Sequence, residues 1–189
     1  MTALTGRAGL ATSVLVLALA PAGQAQRENV DAAALQDFNT RIEAFVQIRQ
    51  RAEADAPPLP DDRSPEQIDA HQRAMAGRVR QARASAAQGD VLAPDTQVLL
   101  RRIVARQVEG PEGPEIRASI LDEHPNGVVV RVNERYPDEV PLATMPPELL
   151  RELPKLPKGL EYRFVARTLA IIDASTYLIV DFVPDAMPE

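Results

Sequence analysis

The chain has no cysteine and no tryptophan, and only three tyrosines, four phenylalanines and two histidines among its 189 residues. The lack of cysteine excludes disulfides, thiol nucleophiles, thiolate metal sites and a lipid anchor on an N-terminal cysteine. With so little aromatic area, leucine, isoleucine and valine must carry most of the burial, and the core must hold by packing alone. Long apolar runs are also missing. The longest, Leu10 to Ala20 (LATSVLVLALA), has 11 residues, whereas a helix crossing the hydrocarbon core takes about 20. There is no Gly-x-Ser-x-Gly, no His-Glu-x-x-His and no glycine-rich phosphate loop. The chain is therefore expected to be non-enzymatic and to take no cofactor.

What is present begins with an address. Arg7 precedes the apolar run, and Pro21-Ala22-Gly23-Gln24-Ala25 closes it with small residues. A cationic start, a short apolar stretch and a small-x-small exit describe a secretory signal peptide. Residues 1–25 are the expected signal, cut after Ala25 or, in the alternative, after Ala22. Periplasmic or secreted localisation follows, with no stable membrane insertion after cleavage.

Removing residues 1–25 takes away Arg7 and no acid, leaving 20 basic and 27 acidic side chains. This acidic balance disfavours nucleic acid and anionic membrane as partners, since both need concentrated basic surface. Residues 26–110 hold 12 basic and 13 acidic groups, and residues 111–189 hold 8 and 14. Acid and proline thus concentrate beyond Gly110, which divides a helical region, 26–110, from a proline-rich segment with a small sheet, 111–189. The two are expected to form one domain.

Apolar periodicity predicts a helix from Asp31, read as its N-cap, to about Ala54, with Leu35, Phe38, Ile42, Phe45 and Ile48 on one face. Ala56-Pro57-Pro58-Leu59-Pro60 ends it. Ser64-Pro65-Glu66-Gln67 reads as a capping box opening a second helix, with Ile68, Met75, Val79, Ala82 and Ala86 inward until Gln88-Gly89-Asp90. Arg73, Arg78, Arg80 and Arg83 read as its solvated face. A third helix is expected from Pro94 or Asp95 to Val108, with Val98, Leu99, Ile103 and Val104 inward, and a short one over Ile116–Glu123. Val128 to Val132 is β-branched and reads as a strand. Pro146 to Leu153 holds a short helix. Three strands close the chain, Glu161–Val165, Thr168–Ile172 and Tyr177–Val183, turning near Ala166-Arg167 and at Asp173-Ala174-Ser175. The fold class is α+β: about three N-terminal amphipathic helices, a proline-rich connector and a C-terminal antiparallel three-stranded β-meander.

Imidazole beside carboxylate makes Asp122, Glu123, His124 and His71 the metal-ligand candidates. Adjacent residues point apart, however, and no spacing matches a ligand set, so no metal site is assigned. Asp181, an acid within Leu-Ile-Val-Asp-Phe-Val, is expected on the wet side of its strand by alternation. The segment Arg135 to Gly159 is proline-rich and sparsely apolar, with Tyr136, Leu142, Met145, Leu149 and Leu150 spaced through it. These five are the partner-binding candidates, because prolines lower the entropy cost of ordering an extended contact segment. The alternative is that the segment wraps the domain and buries them at home. The last strand is the expected edge for strand addition.

Arg131 to Pro137, Pro141 to Leu150, Leu160 to Val165 and Leu178 to Pro184 together resemble a group of secreted bacterial proteins of unknown function. That resemblance covers most of the mature chain and implies export. The Leu-Pro pairs, aromatic strand, Ile172-Asp173 and Leu178-Ile179-Val180-Asp181 are similar to the C-terminal hairpins of periplasmic nickel/cobalt-homeostasis proteins. This chain has Ser175-Thr176 where their turn carries glycine, and it has no His-rich tract. The expected role is an interaction or scaffold protein with an envelope protein partner. The alternatives are an accessory of periplasmic metal-ion homeostasis and, third, an envelope enzyme.

Overall fold

The computed structural model of the chain describes residues 22–122, 128–138, 140–141 and 144–189. Most of the expected signal segment, residues 123–127 with Glu123 and His124 among them, and Leu142 lie outside the described residues. Within them the architecture is α+β. Helices α1 (Ala22–Ala54), α2 (Pro65–Ala82), α3 (Pro94–Val108), α4 (Gly113–Asp122) and α5 (Pro147–Glu152) precede a sheet of β1 (Leu160–Val165), β2 (Thr168–Asp173) and β3 (Ile179–Val183). The strands run antiparallel in the order β1-β2-β3. None of the described helices is long and apolar enough to cross a membrane.

Local chemistry places the helix starts. Ser64 accepts from the Gln67 N–H while the Gln67 side chain accepts from the Ser64 N–H, and Pro65 stands at the first helical position. Both halves of the capping box are formed, so two otherwise orphaned donors are satisfied. Pro94 likewise opens α3. The first helix starts earlier than its apolar stripe suggests. Asp31 is no N-cap but lies within α1, its carboxylate accepting from the Arg102 guanidinium at 2.5 Å. The stripe itself holds, with Phe38, Ile42 and Phe45 buried. In α3, Leu99, Leu100, Ile103 and Val104 face inward, but Val98 is 60% exposed. Its position at the flank of the buried face puts Leu100 inside in its place. The α3–α4 turn brings Gly113 against the Val108 carbonyl so closely that a Cβ has no room there.

The sheet is covered on both faces. Leu160, Tyr162, Phe164, Leu169, Ile171, Leu178, Val180 and Val183 pack into one core with the helices, which runs from Ala34 to Met187. Val165, Ala170 and Ile172 form a second layer with Tyr136, flanked by Val128, Val130, Val140, Tyr177 and Phe182. The Val128–Val132 stretch is therefore not a strand. Val128 and Val130 lie over the sheet, Val129 is 61% exposed, and the backbone bonds to β3 only from Asn133 onward. Asn133 itself adopts φ 63°, turning the chain before it can run as a ladder.

Both turns lie where turn chemistry puts them. Ala166 takes a left-handed φ of 54° between β1 and β2. Asp173 accepts from the Ser175 N–H and hydroxyl to make the second turn. Tyr177 is also left-handed, at φ 56°, so β3 starts at Ile179 rather than Tyr177.

Burial raises the phenol pKa of both Tyr136 and Tyr162 above the ordinary 10.0. A pKa raised by folding contributes stability that is complete below the unfolded-chain value and is lost as pH climbs through the folded one. In an alkaline titration, phenolate absorbance from these two rings is expected only as the protein unfolds. Smooth ionisation of all tyrosines while the near-UV dichroism stays native would contradict this packing.

Candidate functional site

Of the residues nominated for metal binding, only His71 and Asp122 fall within the described residues, on two different helices. His71 lies on α2, and its Nδ1–H donates to the Pro57 carbonyl at 2.8 Å, tying the proline segment to the helix. Asp122 ends α4. Among the described residues no three or more His, Asp or Glu side chains gather as a ligand set.

The partner-binding candidates divide. Tyr136, Met145 and Leu149 are buried in the chain's own cores, while Leu150 is 46% exposed. The connector thus wraps the domain at the first three, which removes them from any accessible contact surface.

Two buried polar clusters hold the helices to the sheet. Asp181 is fully buried, not on a wet face. One carboxylate oxygen accepts from the N–H groups of Val91 and Leu92, each at 2.8 Å, and the other from Phe182 at 2.8 Å. Gly89 donates toward both. Burial pushes this carboxyl above its usual range, and the N–H groups of Leu92, Gly89, Val91 and Phe182 pull it back in part. The reason for the reversal of face is a register shift between Ile171 and Ile172. Ile171, whose side chain faces the helices, stands opposite Asp181, and residues directly opposite share a face. Arg83 is likewise not part of a solvated stripe. Helix α2 stops at Ala82, before the Gln88-Gly89-Asp90 turn, and the buried Arg83 side chain turns inward to donate to the Val180 carbonyl and Asn133 Oδ1. Its guanidinium lies 5.0 Å from the centre of the Phe45 ring. The second cluster joins Arg49 of α1 to the fully buried Asp173 at 2.9 Å and to the Ser175 hydroxyl at 3.0 Å. Both acids are enclosed and held by fixed donors, which is the chemistry of a fastening rather than of a site that meets substrate.

The two sheet edges differ in kind. The outer side of β3, read from sequence as the open edge, is occupied. Asn133 N–H donates to the Ile179 carbonyl, Ile179 N–H to Glu134 and Tyr136 N–H to Tyr177. Arg83 takes the Val180 carbonyl and Gln88 the Phe182 carbonyl, and Phe182 N–H is held by Asp181. On the β1 side, the Gly159 carbonyl accepts from Ala174 across the hairpin. Strand alternation then points the backbone groups of Leu160, Tyr162 and Phe164 outward. Leu160 N–H is used by Pro157, and the Tyr162 carbonyl by the Arg163 guanidinium. The Tyr162 N–H and the N–H and carbonyl of Phe164 form no bond within the described residues. Beside this edge runs a groove of about 310 Å³ lined by Leu150, Pro154, Lys155, Leu156, Tyr162 and Arg163, among others. Glu161 and Arg163 pair on one face of the strand, and the Arg163 Nε is buried without a partner.

Sequence reasoning located this strand but not its unpaired outer side, because nothing local records which strand of a meander is bonded on both sides. The one available signal was Glu-x-Arg at the centre of an apolar strand. No family model, curated protein or solved structure matches the chain.

Proposed function

We propose that the protein is an exported envelope protein that binds another chain by strand addition along β1, without catalysing a reaction. The observation carrying this reading is the unpaired Tyr162 N–H and Phe164 N–H and carbonyl on the outer side of β1, beside the Leu150–Leu156 groove. Unpaired edge groups are a ready template for another strand. The adjoining groove supplies pockets for its side chains, and the closed β3 side gives the surface a single docking direction. Export rests on the apolar leader and its small-residue exit.

A photo-crosslinking residue placed at Lys155, in the groove, is expected to give a discrete adduct in the native host. The same residue at Arg131, outside the groove, is expected to give none. No adduct from Lys155, or equal adducts from both, would overturn the reading.

A further inference from the structure

Resting on the strand-addition reading, we infer that the chain entering at β1 is β1 of a second copy, antiparallel and centred on Tyr162. Glu161 and Arg163 flank Tyr162 on one face of the strand, opposite in sign and two residues apart. Read backwards, the pattern is its own complement. A two-fold axis at Tyr162 sets Glu161 opposite Arg163 of the second copy, and Arg163 opposite its Glu161.

Other registers fail on the same strand. A parallel copy in register puts like charges side by side, which is destabilising. Centres at Glu161 or Arg163 set that residue opposite its own copy in a non-hydrogen-bonded pair, like charge against like. A centre at Phe164 sets Arg163 opposite Val165 and Glu161 opposite Arg167, a turn residue beyond β1 whose guanidinium is held by Met187 and Glu189. A centre at Leu160 meets an N–H already bonded to Pro157. Only Tyr162 has outward backbone groups and matched charges on both sides.

The pairing also answers two features of the isolated chain. Two reciprocal N–H···O=C bonds between the Tyr162 residues take the carbonyl that Arg163 covers from its own side chain at 3.1 Å. Released from that contact, the Arg163 guanidinium meets the opposing Glu161 carboxylate, an acceptor for the Nε that has none here. Leu150 and Leu156, which line the groove along this edge, are carried toward the axis from both copies. The product is one continuous six-stranded sheet, twice the three of a single copy.

Sedimentation equilibrium of the exported chain is expected to show a weight-average mass rising toward that of a dimer with concentration. Arg163→Glu and Glu161→Arg each place like charges together at two positions. Each single reversal is expected to weaken association about tenfold to a hundredfold, and the double reversal to restore it. A second measurement does not depend on charge reversal. The chain has no cysteine, and non-hydrogen-bonded antiparallel pairs hold their Cα atoms ~4.5 Å apart, within disulfide reach. Mixing Glu161→Cys with Arg163→Cys chains under mild oxidation is expected to yield a disulfide heterodimer, and neither chain alone a comparable homodimer. A double reversal no stronger than either single one, or homodimers as abundant as heterodimers, would overturn the inference. A strictly monomeric chain whose Lys155 position still captures a different protein would overturn the second copy and leave strand addition standing. A monomer that captures nothing would remove both.

Discussion

Asp181→Ala is expected to destabilise the fold by about 3–5 kcal/mol, because it leaves several buried backbone donors unmet at once. It strips the acceptor from Gly89, Val91, Leu92 and Phe182 together, and each buried donor left unmet costs about 1–3 kcal/mol. In a domain of this size that corresponds to a melting temperature lower by about 6–20 °C. Asp181→Asn keeps one acceptor oxygen and should fall between wild type and alanine. Denaturant unfolding of the three proteins checks the order. An alanine variant within about 1 kcal/mol of wild type would mean that the α2–α3 loop does not depend on this carboxylate.

The second large effect is expected at Arg49. This side chain spans from the first helix to the β2–β3 turn, and its guanidinium lies against Gly159, where a Cβ would stand 2.9 Å from Nη2. Arg49→Met leaves the fully buried Asp173 without its cation, again a loss of about 3–5 kcal/mol. Adding Asp173→Asn to Arg49→Met removes the stranded charge while keeping an acceptor for the Ser175 N–H and hydroxyl. The double variant should therefore recover much of the loss, and a double-mutant cycle measures the coupling directly. Simple additivity of the two single losses would show that the pair does not act as a unit.

What was legible in the sequence was local. The capping box at Ser64, proline at the start of α3 and the turn residues at Asp173-Ala174-Ser175 each determine their surroundings within a few positions, and the structure has them where they were read. Apolar spacing also located the helix faces and the three final strands. What was not legible depends on residues far apart in the chain. Arg83 reads as one more surface cation because the carbonyl it seeks, that of Val180, lies 97 residues away. Asp181 reads as solvent-facing because alternation assumes an unbroken ladder, and the irregularity opposite Ile171 and Ile172 reverses its face. Val128 to Val132 has strand composition but no ladder to join, since the side of β3 it approaches is met by Asn133 to Tyr136 instead. The unpaired outer side of β1 was missed for a related reason. Whether a terminal strand is bare is decided by what packs beside it, and the connector and the α2–α3 loop both cover β3.

The unequal treatment of the two sheet edges limits how far assembly can go. A sheet bare on both sides is bifunctional: every addition exposes a new end, and growth leads to ribbons. This chain is monofunctional. One union at β1 consumes its whole capacity, and the outward ends of the joined sheet are two β3 strands already closed by Arg83, Gln88 and Asn133. A protein without disulfides can in this way keep an adhesive strand and still stop at a finite size, because each copy carries its own terminator.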